Sequence, residues 1–129
     1  MKTVVGVFLV LHGLTHSILA MVPSPKTPNE GFATFFSGIG SWLLPKLSTP
    51  ASRALATALA VTATLGFVAA GLALLSVVVP FGWWRALAIA AALVSLLLVG
   101  FYWDQLLIVG LLIDIVVLAV LLFTSWSPG

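Results

Sequence analysis

Long apolar runs broken by short polar stretches set the pattern of this chain. Four of them, about 4–22, 54–79, 83–101 and 106–123, match the roughly 20 residues a helix needs to cross a hydrocarbon core. The pattern predicts an all-α fold, an integral membrane bundle of four transmembrane helices in a single domain spanning 1–129. The first run follows Met1-Lys2, as a signal peptide would. It reads instead as a span, because His12 and His16 interrupt it and no A-x-A site follows.

Residues 23–53 make the one long connection. Within it, Thr27, Pro28 and Glu30 form a capping box with proline at the first helical position. Phe32, Phe35, Phe36, Ile39, Trp42 and Leu43 then share one face at helical spacing, which predicts a short amphipathic helix at the membrane interface. Pro45 closes it. The second span opens near Pro50 with Thr49 as cap. Its residues Ala54, Ala58, Thr62, Gly66 and Ala70 recur at every fourth position, a small-residue seam for another helix of this chain or of a neighbour. The turn at Pro80-Phe81-Gly82 and the brief link at Asp104 force the last three spans into antiparallel hairpins. Trp83, Trp84 and Arg85 read as interfacial anchors, and Phe101, Tyr102 and Trp103 as a second aromatic belt. Asp104 reads as the N-cap of the fourth span.

Composition excludes the soluble alternative. Apolar residues make up 62% of the chain and charged residues 6%, against about a quarter charged in a soluble domain, so the outer surface must face lipid. Cysteine is absent, which removes disulfides and thiolate metal sites. A net charge of +2 without a basic cluster gives nucleic acid nothing to bind. No G-x-S-x-G, Walker or dinucleotide motif is present, so no catalytic residue is assigned and an enzyme is the less favoured class. Basic residues are nearly balanced: Lys2 and Arg85 on the terminal side, Lys26, Lys46 and Arg53 on the other. Lys2, just before the first run, leans the assignment to a multi-pass cell-membrane protein with cytoplasmic termini.

Three ionisable groups fall inside the spans: His12, His16 and Asp114. Such groups are costly in lipid and mark candidate sites. His12 and Asp114 sit near the centres of the first and fourth spans, so they are expected to face inward and pair. Gly110, one turn before Asp114, would let another helix approach. His16 lies on the face of His12 about 6 Å further along, which extends a polar track toward the long connection, with Thr15 near it. Three readings fit the cluster. A His–Asp bond can fix helix pairing. The groups can relay protons or ions, or form the polar end of a cavity for a quinone or lipid. Or two histidines and a carboxylate can bind a metal ion.

The layout resembles the bacterial DoxX-like small four-helix membrane proteins. The matching stretches are Leu11-His12-Gly13-Leu14, Phe35-Phe36 through Trp42-Leu43-Leu44-Pro45, and Gly66 through Leu75. This chain has Thr62 and Thr64 where family members often carry a glutamate. Only His12 and Gly13 transfer. The resemblance implies a role beside membrane redox chemistry. The expected function is a non-enzymatic accessory or assembly subunit of a larger membrane complex, associated with the bilayer and with other membrane subunits or its own copies. The alternative is a bundle that binds a ligand or conducts protons through its His/Asp cluster.

Overall fold

A computed structural model describes residues 1–20, 49–102 and 107–126. They form four α-helices: α1 (Lys2–Ala20), α2 (Thr49–Leu74), α3 (Trp84–Phe101) and α4 (Ile108–Phe123), with a single 3-10 turn at Phe81–Trp83 before α3. Among the described residues there is no strand. Two stretches, Pro50–Leu74 and Phe81–Phe101, are long and apolar enough to cross a membrane, while Lys2–Ile18 and Ile108–Phe123 are shorter apolar helices. The amphipathic helix expected in the long connection and the Asp104 cap lie outside the described residues.

The second helix stops at Leu74, five residues before the end of its apolar run at Val79. Val77 N–H donates to Leu72 C=O at 2.9 Å and Ser76 N–H to Ala73 C=O at 3.1 Å. Together these bonds form a Schellman cap, with Ser76 in the left-handed position at φ 57°. The next three residues are valines, which resist helix through crowding at χ1, and Pro80 prevents resumption. Hydropathy does not register this stop, because the valines are as apolar as the helix before them.

Packing follows chain order. α1 lies on α2, α2 on α3 and α3 on α4. The first interface is the closest, because glycines remove the side chains that would separate the backbones. A Cβ on Gly71 would fall 2.5 Å from Gly6 O and 2.6 Å from a methyl of Val10, and one on Gly13 would fall 2.8 Å from Phe67 Cβ. On α2 a stripe of Ala56, Ala60, Ala63, Phe67, Ala70 and Leu74 is buried, joined by Ser52, Gly71 and Ala73. This alternating three- and four-residue spacing replaces the strict fourfold stripe read from the sequence. Each four-residue step advances about 400° at 3.6 residues per turn, so a fourfold stripe winds off the buried face. Ala54, Ala58 and Thr62 are accordingly exposed. Only Gly66 and Ala70 stay in the seam, Gly66 close against Ala91 of α3.

Polar contacts secure the ends. Tyr102, fully buried, donates to Ser52 C=O at 2.7 Å and accepts from Ser52 Oγ at 3.1 Å, which ties the end of α3 to the start of α2. Burial pushes the phenol of Tyr102 upward, which keeps it a neutral donor. Arg85 does more than anchor. Its Nη1 donates to Trp126 C=O at 2.9 Å, and its Nη2 donates to the carbonyls of Leu121 and Thr124. It therefore satisfies the open carbonyls at the C-terminus of α4 from the neighbouring helix.

The glycine contacts yield a paired prediction. Gly71→Ala should lower stability by about 1–3 kcal/mol through overpacking. Gly100→Ala has no described residue within 4 Å of the new methyl and should be neutral or stabilising by up to about 1 kcal/mol. Thermal unfolding followed by circular dichroism checks both. Equal effects at the two positions would mean that α1 and α2 are not in close contact.

Candidate functional site

The serial packing leaves α1 and α4 as the two ends of an arc. They face each other across a gap and do not pack along their length. Side chains close the arc at one level. His12 Nε2 lies 2.9 Å from Asp114 Oδ1, joining α1 to α4. Asp114 is fully buried, His12 is 7% exposed and His16 9%.

The three residues singled out in the sequence are brought together, with a fourth between them. Ser95 Oγ of α3 bonds Asp114 Oδ2 and lies 2.5 Å from His16 Nε2. His16 therefore joins the cluster through Ser95. Its other nitrogen, Nδ1, bonds the His12 carbonyl at 3.0 Å. Sequence reading passed over Ser95, although one signal marks it: it is the sole polar side chain between Arg85 and Tyr102. Phe67 of α2 was also missed, because an apolar residue in an apolar helix carries no mark. Its ring meets His12 edge-on at 4.8 Å and stacks on His16 at 5.6 Å, while Phe8 stacks on the other face of His12 at 5.9 Å. These contacts hold the imidazoles in fixed planes.

Two expectations are corrected. Thr15 takes no part in the chain of bonds, because its hydroxyl donates to Leu11 C=O at 2.9 Å, one turn back. Gly110 receives none of the described helices, since a Cβ there would meet no described residue within 4 Å. It borders open space because α1 stands away from α4 at that level.

Protons along the chain can be counted. The His12 carbonyl only accepts, so His16 Nδ1 carries a proton and donates to it. Two contacts remain, Oδ2 to Oγ and Oγ to Nε2, and each needs one proton. The serine hydroxyl supplies one. The second sits either on the Asp114 carboxyl or on His16 Nε2. In the first form Asp114 donates to Ser95 and Ser95 donates to His16. In the second, imidazolium donates to Ser95 and Ser95 donates to carboxylate. Either form satisfies every contact, and with His12 neutral either leaves the cluster neutral overall. That suits a buried site, where an unpaired charge costs several kcal/mol. His12 donates through Nε2, so its Nδ1 is an acceptor, and it has no hydrogen-bond partner among the described residues.

The same residues are the metal candidates. One ligand atom from each of His12, His16 and Asp114 lies within 4.8 Å of the others. The donor set is already closed on itself. Both nitrogens of His16 and both carboxylate oxygens are bonded within the chain, and Ser95 stands between His16 and Asp114. A metal would have to break that chain, so the arrangement fits a hydrogen-bonded relay better than a coordination sphere.

The His12–Asp114 bridge divides the gap between α1 and α4 into two cavities. One, of about 280 Å³ and half enclosed, is lined by His12, His16 and Ser95 together with the apolar Leu98, Val99 and Leu107. The other, of about 660 Å³ and more open, lies toward the chain termini and is almost wholly apolar.

Compared with protein-family models, curated proteins and solved structures, the chain matches none. The DoxX-like resemblance therefore rests on the residues quoted above.

Ser95 supplies the test of the cluster. Ser95→Ala leaves His16 Nε2 and Asp114 Oδ2 without partners and should cost about 1–3 kcal/mol. Thr62→Ala removes an exposed hydroxyl bonded to its own helix and should stay within about 0.5 kcal/mol. Unfolding of the two variants side by side decides it, and a Ser95→Ala protein as stable as Thr62→Ala would break the chain of bonds described here.

Proposed function

We propose that the chain is a multi-pass integral membrane protein that binds a small amphipathic ligand with a hydroxyl head group, of the quinol class. The buried His–Ser–Asp chain would exchange a proton with that head. Four apolar helices, two of them of spanning length, and the lipid-like composition support membrane insertion. All four then cross, with both termini on one side, and Lys2 favours the cytoplasm for them.

One observation carries the ligand reading: three members of the relay, His12, His16 and Ser95, line the 280 Å³ cavity, whose other walls are mostly apolar. A purely structural pair needs no cavity. The volume suits a ring-sized head at the lower edge of known ligand pockets. The open acceptor on His12 calls for a donor, which a hydroxyl provides. Moving the shared proton from Asp114 to His16 makes a carboxylate and an imidazolium bridged by Ser95, so a proton can pass without a net buried charge appearing. The DoxX-like layout adds a quinone-linked context.

The test is titration of the protein, held in phosphatidylcholine nanodiscs, with a decyl-tailed benzoquinol. Saturable binding is expected, weakened roughly tenfold in Ser95→Ala and in His16→Phe. Leu97→Ala, on an exposed face of α3, should bind as the parent does. Identical, non-saturating partition in all four proteins would end this reading.

A second reading, a non-enzymatic accessory or assembly subunit, draws on α4. Among the described helices it packs mainly on α3 and leaves Val109, Leu112, Val116 and Phe123 exposed, which suits a neighbouring subunit. Gentle extraction and native mass spectrometry separate the two. A stoichiometric partner favours the subunit, and a lone protein with a bound quinol favours the ligand site.

A further inference from the structure

The apolar cavity on the other side of the His12–Asp114 bridge has its own geometry. α1 contributes Val5 and Phe8, α3 contributes Trp84, and α4 contributes Val116, Val120 and Trp126. Along α4 the lining runs from Val116 to Thr124, about 12 Å at 1.5 Å per residue. Half of a 30 Å hydrocarbon core is about 15 Å. The slot is therefore about one leaflet deep. It ends at Phe8 and Leu9 of α1 and Val116 of α4, next along both helices to His12 and Asp114, and its mouth is at the level of the helix ends.

The mouth is cationic. The Arg85 guanidinium lies against Leu121, Thr124 and Trp126, three residues of the slot wall, and its partners there are neutral carbonyls. Lys2 stands one turn before Val5, with Nζ 4.4 Å from the Phe81 ring. Asp114, the only carboxylate side chain among the described residues, lies beyond the inner end of the slot and is already bonded. Two positive charges thus border the opening without a described acidic partner.

We infer that this slot is a binding site for one anionic phospholipid, with an acyl chain between α1 and α4 and the phosphate held at Arg85 and Lys2. Depth and charge select this occupant. A helix of a second copy would run the full thickness of the bilayer, but the His12–Asp114 bridge blocks the groove halfway. A single acyl chain ends where the slot ends. A zwitterionic lipid would fill the apolar part and leave the two cations unmatched. The inference rests on the membrane reading above and is independent of the quinol site.

The experiment is native mass spectrometry of the detergent-solubilised protein after equilibration with equimolar phosphatidylglycerol and phosphatidylcholine. One retained phosphatidylglycerol per protein is expected. Lys2→Gln, on the exposed first turn, should weaken its retention over phosphatidylcholine roughly fivefold. Val120→Trp fills the slot without touching either cation and should abolish retention while circular dichroism shows the helices intact. Equal retention of the two lipids, or retention unchanged in both variants, overturns the site. So does a dimer that binds no lipid, which assigns the slot to a second copy. Recovery of the protein in the soluble fraction without detergent would instead overturn the membrane reading itself.

Discussion

Everything distinctive in this fold depends on the contact between His12 and Asp114, which closes an arc of helices that packing alone leaves open. The α1–α2, α2–α3 and α3–α4 interfaces are each made by neighbours in sequence, through glycines and alanines. None of them brings α1 to α4. In lipid, apolar side chains gain little by meeting one another, because the tails around them are equally apolar. A buried imidazole and carboxylate gain a great deal in any apolar interior, because apart each would be an unsatisfied polar group. The energetics of the bridge, like those of the Ser95 contacts, therefore come mainly from avoiding a penalty.

Ser95 and Phe67 turn that bridge into a site. Ser95 couples the carboxylate to His16, so the geometry gives a single proton two places to rest, Asp114 or His16 Nε2. Phe67, held where Gly13 of α1 meets α2, presses both imidazoles into position. The close seam between α1 and α2 thus has a consequence for chemistry, since it sets where the rings stand. Fixed rings and a complete set of bonds are what a relay needs, because proton transfer is steep in distance and angle.

The bridge also gives the gap two unlike compartments. Toward the long connection the walls carry His12, His16, Thr15 and Ser95. Toward the termini they are apolar up to the cationic rim. One contact near the middle of the helices keeps the two from merging, which allows a polar-headed ligand and a lipid chain to be proposed as separate occupants.

Helical class, the number of apolar helices and the three ionisable residues of the cluster were legible in the sequence, because hydropathy and the rarity of charge are properties of residues one at a time. The pairing of His12 with Asp114 was legible as well, since two costly groups at matching depth have few other solutions. Where α2 ends was not, because its Schellman turn lies inside a run as apolar as the helix itself. Nor was its buried face, because a stripe at every fourth residue winds round a helix of 3.6 residues per turn. Ser95, Phe67 and the open space beside Gly110 needed the tertiary structure, for they depend on how neighbouring helices are rotated and on which pair stands apart. Those are relations between elements, and a single chain read residue by residue does not contain them.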